Sequence, residues 1–241
     1  QKSLIKLIQR DKPDLVFTAT SLGLSVEKII TKIAKKQGVK TAAIIDFWVN
    51  YKLRFSDPGT ENLAYLPDYI LVVDEIMKKE MVKEGFDLKR IFVSGNPYFS
   101  TFLKEEKNNK KERIITFFSQ PFSELFKKGE KGHPGYSEVE VFEDLTEILE
   151  KLKIELPVKL KLHPRTKKKD KFNKVISNSK LKINVEKKQS SETLIKKSKL
   201  VIGMNSAILF QAALVGKPVI SYQPNLKGLD PLISNRLRVS K

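Results

Sequence analysis

A strand–loop–helix–strand unit near the end of the chain constrains the fold more than any other feature. Residues 190–222 read SSETLIKKSKLVIGMNSAILFQAALVGKPVISY. Two apolar runs flank a helical stretch that ends at Gly216, a pattern typical of two buried parallel strands joined by a crossover helix. The loop at residues 203–206 then lies at the carboxyl edge of the sheet, where α/β proteins bind ligands. Because a helix begins after Ser206, this loop favours an anion such as a diphosphate, and we expect a phosphorylated, nucleotide-linked substrate.

The same alternation of strand and helix runs through most of the chain. Further strands are predicted at residues 14–19, 40–46, 69–73, 90–94, 114–119, 158–162 and 181–185. The alternation breaks at residues 99–112, whose charged centre, EEKNNKKE, is typical of an interdomain linker. We therefore predict an α/β protein of two Rossmann-like, doubly wound parallel-sheet lobes, residues 1–103 and 113–241, with a cleft between them. Because a helix at residues 3–10 opens the chain, we expect the first lobe to lack its first strand.

Composition excludes several classes of protein. The 241 residues contain no apolar run long enough for a transmembrane helix, and no signal peptide is visible. Cysteine is absent, which excludes disulfides and thiolate metal sites. The two histidines, His133 and His163, argue against a His-rich metal centre. These features predict a cytoplasmic protein.

The chain is strongly basic. Its 46 Lys and Arg against 28 Asp and Glu give a formal net charge of +18. The lysine tracts at residues 104–113 and 165–174 lack the interleaved aromatic side chains that stack on bases, so nucleic acid is the weakest of the functional interpretations. The stronger ones are a lipid-linked or otherwise anionic substrate and an anionic membrane surface, which would place the protein at the inner face of the membrane. The alternative is an ordinary lysine-rich solvated surface.

Polar side chains follow three predicted strands of the second lobe. The candidate donor-binding residues are Ser119, Gln120, His163, Arg165, Asn205 and Ser206. Because the carboxyl ends of parallel strands share one edge, the three loops can converge on one ligand. Arg165 offers a planar guanidinium to a phosphate, and His163 can donate a hydrogen bond to a phosphoryl oxygen and adds charge when protonated. Each residue alone could be an ordinary loop residue, but three loops on one edge favour a site.

Asp46 ends a predicted strand of the first lobe and is a candidate general base. The segment that follows, FWVNYKLRF, is too polar and aromatic for an ordinary short connection, and its aromatic rings could stack on a sugar face. The candidate acceptor-binding residues are Trp48, Asn50, Tyr51, Arg54 and, in a Gly-Asn-Pro turn before the linker, Asn96. The alternative is that Asp46 caps local backbone while the aromatic side chains pack a surface between the lobes.

Several signatures of other enzyme classes are missing. The chain has no GxxxxGK[ST] phosphate loop, no G-x-G-x-x-G after a strand and no GxSxG. It also has no DxD-like pair at a strand end, which argues against a metal-dependent, single-domain sugar transferase.

Three segments resemble nucleotide-sugar enzymes of the GT-B fold. RIFVSGNPYF is similar to the end of the N-terminal domain in such proteins, and LHPR resembles the His-Pro motif of bacterial sialyltransferases and CDP-glycerol glycerophosphotransferases. GMNSAILFQAALVGKPVIS resembles their C-terminal donor-binding βαβ unit. The resemblance extends to a non-transferring relative, UDP-N-acetylglucosamine 2-epimerase, and covers roughly residues 10–100 and 113–222.

The resemblance implies roles for individual residues. His163 and Ser206 would contact the donor phosphates, and Ser119 and Gln120 would line the donor cleft. Many members carry a ribose-binding Glu seven residues before the Pro of the G-x-P turn, where this chain has Gln211, which keeps the hydrogen bond but not the charge. The characteristic acidic residues of the epimerase are not recognisable here.

The function favoured is transfer of a sugar from a nucleotide-sugar donor to a cell-surface polysaccharide or glycolipid. Asp46 would deprotonate the acceptor hydroxyl, while the positive and helix-terminal groups around His163 would stabilise the leaving phosphate without a metal ion. The nucleotide sugar is a substrate, and no cofactor is expected. The alternatives are a nucleotide-sugar 2-epimerase, a catalytically silent pair of GT-B-like lobes that binds a glycan or a partner, and, third, a nucleic-acid-binding protein.

Overall fold

The chain divides into two compact units, Gln1–Tyr98 and Phe99–Lys241. The computed structural model describes residues 2–99, 113–126, 133–228 and 230–236. Each unit holds its own sheet, in which the paired strands are parallel, and this confirms the predicted α/β class with two Rossmann-like sheets. The division falls at the start of the predicted linker, of which residues 100–112 lie outside the described part of the chain.

The first unit alternates short strands with helices. Its elements are α1 (Lys2–Asp11), β1 (Leu15–Thr18), α2 (Val26–Lys36), β2 (Lys40–Ile44), α3 (Tyr51–Phe55), β3 (Tyr69–Val72), α4 (Glu75–Lys83) and β4 (Ile91–Val93). The strands pair in the order β1-β2-β3-β4, so each crossover carries the chain one strand further in the same direction. Among the described residues this sheet is therefore wound one way, whereas the sequence predicted double winding in both lobes.

The side-chain pattern of this sheet follows from its winding. Helices α1 and α2 pack on one face, where a buried cluster contains Ile8, Val16, Ile33 and Ala34. Because successive strand residues point to opposite faces, the alternate positions lie on the other face. Within this unit that face carries large apolar side chains that are exposed: Leu15, Phe17, Tyr69 and Phe92.

The second unit has more strands and more helices. Its elements are β5 (Ile115–Phe118), α5 (Phe122–Leu125), α6 (Glu138–Lys151), β6 (Val158–Lys161), α7 (Asn173–Asn178), β7 (Ile183–Val185), α8 (Ser191–Lys197), β8 (Leu200–Gly203), α9 (Ala207–Leu214), β9 (Val219–Ser221) and α10 (Ile233–Arg236). A 3₁₀ turn, Lys169–Phe172, leads into α7.

The second sheet reverses its winding direction in the middle. Its strand order is β7-β6-β5-β8-β9, so the chain first builds outward from β5 on one side and then crosses to the other. Hydrophobic clusters cover both faces, one containing Phe117 and the other containing Phe118. In register, Phe118 pairs with Lys161 of β6 and with Gly203 of β8, so the three strands end together. This sheet is doubly wound, as predicted, and its switch point lies between β5 and β8.

Some short helices were not predicted from the sequence. Helices α3, α5 and α10 are four or five residues long, too short for a 3.6-residue period to show in the sequence. α3 lies inside the FWVNYKLRF segment and starts after Asn50, whose φ of 62° is left-handed. No helix in the described ranges is long and apolar enough to cross a membrane.

Candidate functional site

Two side chains join the loops at the switch point of the second sheet. A reversal between adjacent strands opens a crevice at the carboxyl edge, and here the loops after β5 and β8 flank it. Gln120 Nε2 donates to Asn205 Oδ1 at 2.8 Å, and the backbone amide of Asn205 donates to Gln120 Oε1 at 3.1 Å. This reciprocal pair fixes one loop against the other.

The loop after β8 leads directly into a helix N-terminus. Ser206 is the N-cap of α9, and its Oγ accepts from the Ile208 amide at 3.4 Å. At Gly203, the last residue of β8, a Cβ would lie 3.2 Å from both the Phe118 carbonyl oxygen and the Leu209 side chain. The absence of a side chain lets the loop start close to β5. The positive end of the α9 dipole is therefore at the carboxyl edge, next to the Gln120–Asn205 pair.

A hydrogen-bonded cluster after β9 stabilises the loop that follows β8. Sequence analysis assigned the residues of this cluster no role. Ser221, the last residue of β9, donates from Oγ to the Met204 carbonyl. The side-chain amides of Asn235 and Gln223 donate to Ser221 Oγ at 2.7 and 3.0 Å. The same two amides donate to Asp230 Oδ2 at 2.8 and 3.1 Å. The sequence carried only the signal of a polar loop here, because these partners meet only in the folded chain.

His163 follows β6 in a His-Pro-Arg turn that sets its tautomer. The Arg165 amide donates to His163 Nδ1 at 3.1 Å, so the proton of the neutral imidazole is on Nε2. Burial lowers the pKa of His163, and the positive charge of Arg165 lowers it further. Near neutral pH the side chain is thus an uncharged Nε2–H donor, whereas the sequence analysis also considered a protonated one.

A cavity of about 550 Å³ opens beside His163, at the carboxyl ends of β6 and β7. This volume lies within the range of small-molecule sites. Its wall mixes apolar surface with charged side chains of both signs, among them Lys161, Lys169, Lys187, Asp170 and Glu186. The cavity could therefore hold a polar group the size of a nucleoside.

The other candidates in the second unit differ in exposure. Ser119, directly after β5, is 4% exposed, and its Oγ has no hydrogen-bond partner among the described residues. A buried hydroxyl without a partner is costly, so this atom is available to a ligand or a water molecule. Arg165 is exposed and Gln211, on α9, is half-buried. Their binding roles stay predictions.

Asp46 lies at the carboxyl edge of the first sheet with an exposed side chain. Its Oδ1 accepts from Arg54 Nη1 at 3.3 Å, and Arg54 also donates to Thr20 Oγ1 at 3.0 Å and to the Val49 carbonyl at 3.2 Å. Burial lowers the pKa of Arg54, and the charge of Asp46 opposes that shift. The sequence had predicted that Arg54 lines an open acceptor surface. This is corrected, because Arg54 is buried and anchors Asp46 from inside the unit.

The two aromatic candidates belong to the interior of the first unit. Trp48 and Tyr51 are 1% and 2% exposed. Trp48 Nε1 donates to Asp74 Oδ2 at 2.8 Å, and the Tyr51 hydroxyl donates to Glu80 Oε2 at 2.6 Å. These bonds pin the FWVNYKLRF segment onto α4. The expectation that these rings stack on a sugar is corrected, because their surfaces are already covered.

The two asparagine candidates are more accessible than the aromatic side chains. Asn50 is exposed at the start of α3. Asn96 is half-buried, and its Oδ1 accepts from the Tyr98 amide at 3.0 Å, which stabilises the Gly-Asn-Pro turn. Their contact with an acceptor remains a prediction.

Comparison with known sequences finds one family and one curated relative. The profile of the alpha-2,8-polysialyltransferase (POLYST) family matches residues 54–222, more than half of the 241-residue chain. The UDP-N-acetylglucosamine 2-epimerase of Methanocaldococcus jannaschii is 25% identical over 235 residues, which cover 91% of this chain and 63% of that protein. The chain thus spans less than two thirds of the curated relative that it matches.

Solved structures with low sequence identity share the fold. UDP-GlcNAc 2-epimerase from Neisseria meningitidis bound to UDP-GlcNAc matches with a TM-score of 0.67 at 15% identity, over 99% of this chain and 70% of that chain. MnaA of S. aureus with UDP matches with a TM-score of 0.66 at 16% identity, over 91% and 61%. These likenesses show the GT-B fold and confirm the resemblance found in the sequence.

Proposed function

Because this chain belongs to the alpha-2,8-polysialyltransferase (POLYST) family, we propose that it acts in sugar transfer from a nucleotide-sugar donor to a cell-surface polysaccharide or glycolipid. The observation that carries the proposal is the convergence at one sheet edge. His163, Ser206 and the Gln120–Asn205 pair follow three adjacent parallel strands at a topological switch point. Nucleotides bind at such points in α/β proteins. In view of the family, the transferred group is a sialyl-type sugar.

In this proposal the second unit binds the donor. The Nε2–H of His163 and the hydroxyl of Ser206 donate to phosphate oxygens, and the N-terminal amides of α9 favour the negative charge. The exposed guanidinium of Arg165 adds charge-assisted bonds. The cavity beside His163 takes the nucleoside part, and Gln211 hydrogen-bonds a ribose hydroxyl.

The chemistry is substitution at the anomeric carbon of the donor. The acceptor hydroxyl oxygen bonds to that carbon while the bond from the carbon to the phosphate oxygen breaks, and the leaving phosphate keeps the electron pair. Asp46 takes the hydroxyl proton as general base. The donors around His163 and Ser206 stabilise the charge that develops on the phosphate. We propose that these groups act without a metal ion, and the nucleotide sugar is a substrate rather than a cofactor.

A thermal-shift screen with UDP, CMP, CDP and GDP tests donor binding directly. A nucleotide at about 100 times its Kd raises the free energy of unfolding by roughly 2.7 kcal/mol, which is readily seen as a higher Tm. Selective stabilisation by one nucleotide supports the proposal and identifies the donor class. If none of the four shifts the Tm at millimolar concentration, the proposed donor site is wrong.

The second candidate function is epimerisation of a nucleotide sugar. It is favoured by the epimerase relative and by the epimerases among the similar structures. The two reactions differ in their need for an acceptor. If the protein is an epimerase, NMR of a nucleotide sugar incubated with the protein alone would show the 2-epimer. If it is a transferase, a product would form only after a glycan acceptor is added. Nucleotide binding with neither product would favour the silent binding module.

We also propose that the protein works on the cytoplasmic side, at the inner face of the membrane. The support is the net charge of +18, which attracts anionic lipids as well as an anionic acceptor. Sedimentation with vesicles that contain phosphatidylserine, at about 50 mM and 500 mM salt, tests this, because electrostatic binding is lost when salt screens it.

A further inference from the structure

A carboxylate in α5 accepts hydrogen bonds from the loop that carries His163. Glu124 Oε2 accepts from the Lys167 amide at 2.8 Å, and Glu124 Oε1 accepts from the Lys168 amide at 3.3 Å. Both amides lie just beyond the His-Pro-Arg turn. Because the donors are backbone groups, the carboxylate fixes the path of the loop itself rather than the direction of a side chain.

A largely buried lysine, Lys171, holds this carboxylate in place. Lys171 Nζ lies 3.0 Å from Glu124 Oε1 and also contacts the carboxylate of Glu138, which is fully buried. Ser123 donates to Glu138 from its amide at 2.8 Å and from its hydroxyl at 2.6 Å. The Lys167 amide and the Lys171 side chain lower the pKa of Glu124 to about 2. The carboxylate is therefore ionised at any physiological pH.

The turn that precedes these Glu124 hydrogen bonds determines the proton position on His163. The Thr166 amide donates to the His163 carbonyl at 2.9 Å, and the Arg165 amide donates to His163 Nδ1 at 3.1 Å. Lys167 is the next residue along the chain. A displacement at Lys167 therefore moves the amide of Arg165, on which the tautomer of His163 depends.

We propose that Glu124 is a positioning residue that keeps the imidazole proton of His163 on Nε2. It acts through the turn and does not itself touch the substrate. Its importance for donor binding rests on the proposed function, whereas its effect on the tautomer of His163 does not. The two can therefore be tested separately.

The chain offers a matched pair of variants for the test. Glu124→Gln keeps the size of the side chain and removes its charge, and Lys171 keeps its contact with Glu138. In the control, Glu150→Gln, the native Glu150 Oε1 accepts from the Lys180 amide at 2.8 Å and from the Ser179 hydroxyl at 2.6 Å. Those bonds lie before β7, at the opposite edge of the same sheet.

Long-range ¹H–¹⁵N NMR of the imidazole nitrogens, on the full 241-residue chain, reads the tautomer. His133 is an internal reference, because the Gly135 amide donates to its Nδ1 at 3.1 Å, as the Arg165 amide does to His163 Nδ1. We expect an Nε2–H signature for His163 in the wild type and in Glu150→Gln. In Glu124→Gln we expect a mixture of tautomers for His163 and no change for His133.

Binding supplies the second readout. For the nucleotide that stabilises the wild type, Glu124→Gln should raise the Kd about three- to tenfold, the effect of about one hydrogen bond, while Glu150→Gln leaves it unchanged. A folded Glu124→Gln protein with unaltered His163 signals would overturn the proposal. If that variant does not fold, Glu124→Asp, which keeps the charge and shortens the side chain, is measured instead, and unaltered His163 signals again overturn it. Failure of every nucleotide to bind the wild type would refute the proposed function, while the NMR result would still decide the role of Glu124.

Discussion

Gln120 Nε2 lies 2.8 Å from Asn205 Oδ1, although the two residues are 85 positions apart in the chain. The backbone amide of Asn205 donates a second bond to Gln120 Oε1 at 3.1 Å. Since both bonds join the loops after β5 and β8, the pair sets the geometry of the crevice before any ligand arrives. Such pre-organisation lowers the entropic cost of binding.

Gln120→Ala should therefore weaken both stability and nucleotide binding. The change removes both hydrogen bonds, and at about 0.5–1.5 kcal/mol each the free energy of unfolding in urea should fall by roughly 1–2 kcal/mol. A double-mutant cycle with Asn205→Ala measures the side-chain bond of the pair, because the second bond comes from the backbone amide of Asn205, which that substitution keeps. Strictly additive effects of the two substitutions would show that the two side chains are not energetically coupled.

His163→Ala and Ser206→Ala should each weaken nucleotide binding by about 1–3 kcal/mol, because each removes a donor to a phosphate oxygen. Isothermal titration calorimetry gives the affinities. His133→Ala is the control, since His133 has the same Nδ1 bond and no assigned role. If both site variants bind as tightly as this control, neither residue belongs to the donor site.

Asp46→Asn should lower the turnover number by at least about 100-fold and leave nucleotide affinity nearly unchanged, because the amide keeps the shape and removes the base. Asp14→Asn is a suitable control, since Asp14 is exposed just before β1 and so lies near the opposite edge of the same sheet. Steady-state kinetics with donor and acceptor separate the two variants. Full turnover in Asp46→Asn would exclude this carboxylate as the base.

The acid stability of the second unit should depend on Glu124. Its pKa is lowered to about 2 in the folded chain, so the stabilisation is complete above about pH 4.5, the usual value, and is lost as the pH falls towards 2. Urea unfolding between pH 6 and pH 3 should show a smaller loss of stability for Glu124→Gln than for the wild type. Equal acid sensitivity of the two proteins would contradict this assignment. Glu186, whose pKa is also lowered to about 2, accounts for part of the remaining loss.

Gly135→Ala should be much more destabilising than Gly216→Ala. Both glycines have a positive φ, of 101° and 70°, so each substitution strains the backbone by about 1–2 kcal/mol. At Gly135 the added Cβ would also collide with the Asn225 carbonyl oxygen, whereas nothing lies within 4 Å at Gly216. Thermal unfolding should separate the two, with a loss of roughly 3 kcal/mol or more for Gly135→Ala. Similar losses would mean that the loops around these residues move apart easily.

The elements that sequence analysis predicted well are those with a strong local signal. The unit from α8 to β9 was found because its strands are continuous apolar runs and Gly216 ends the helix between them. The placement of Ser119, His163 and Ser206 after three strands followed from the apolar run that precedes each of them. Their position on adjacent strands depends on the order β6-β5-β8, which the structure shows and the sequence had not predicted.

What sequence analysis missed depends on contacts between distant residues. Trp48 and Tyr51 are side chains typical of a sugar-binding surface, but they donate hydrogen bonds to Asp74, the N-cap of α4, and to Glu80 within α4. The cluster around Ser221 likewise joins side chains that the sequence gives no reason to pair. Amphipathic aromatic residues can lie in a core or on a surface, and only the presence of a partner decides which.

The different strand orders of the two sheets affect how each unit folds during synthesis. In the first sheet every strand pairs with the one made just before it, so the sheet can grow as the chain leaves the ribosome. In the second sheet, β5 pairs on one side with β8. The pairing of Ile115 with Leu200 can form only after Leu200 has been synthesised. Such distant pairing slows folding, because a long loop must close before the contacts form. We therefore expect the second unit to expose the apolar flank of β5 for longer, and to need chaperones more than the first.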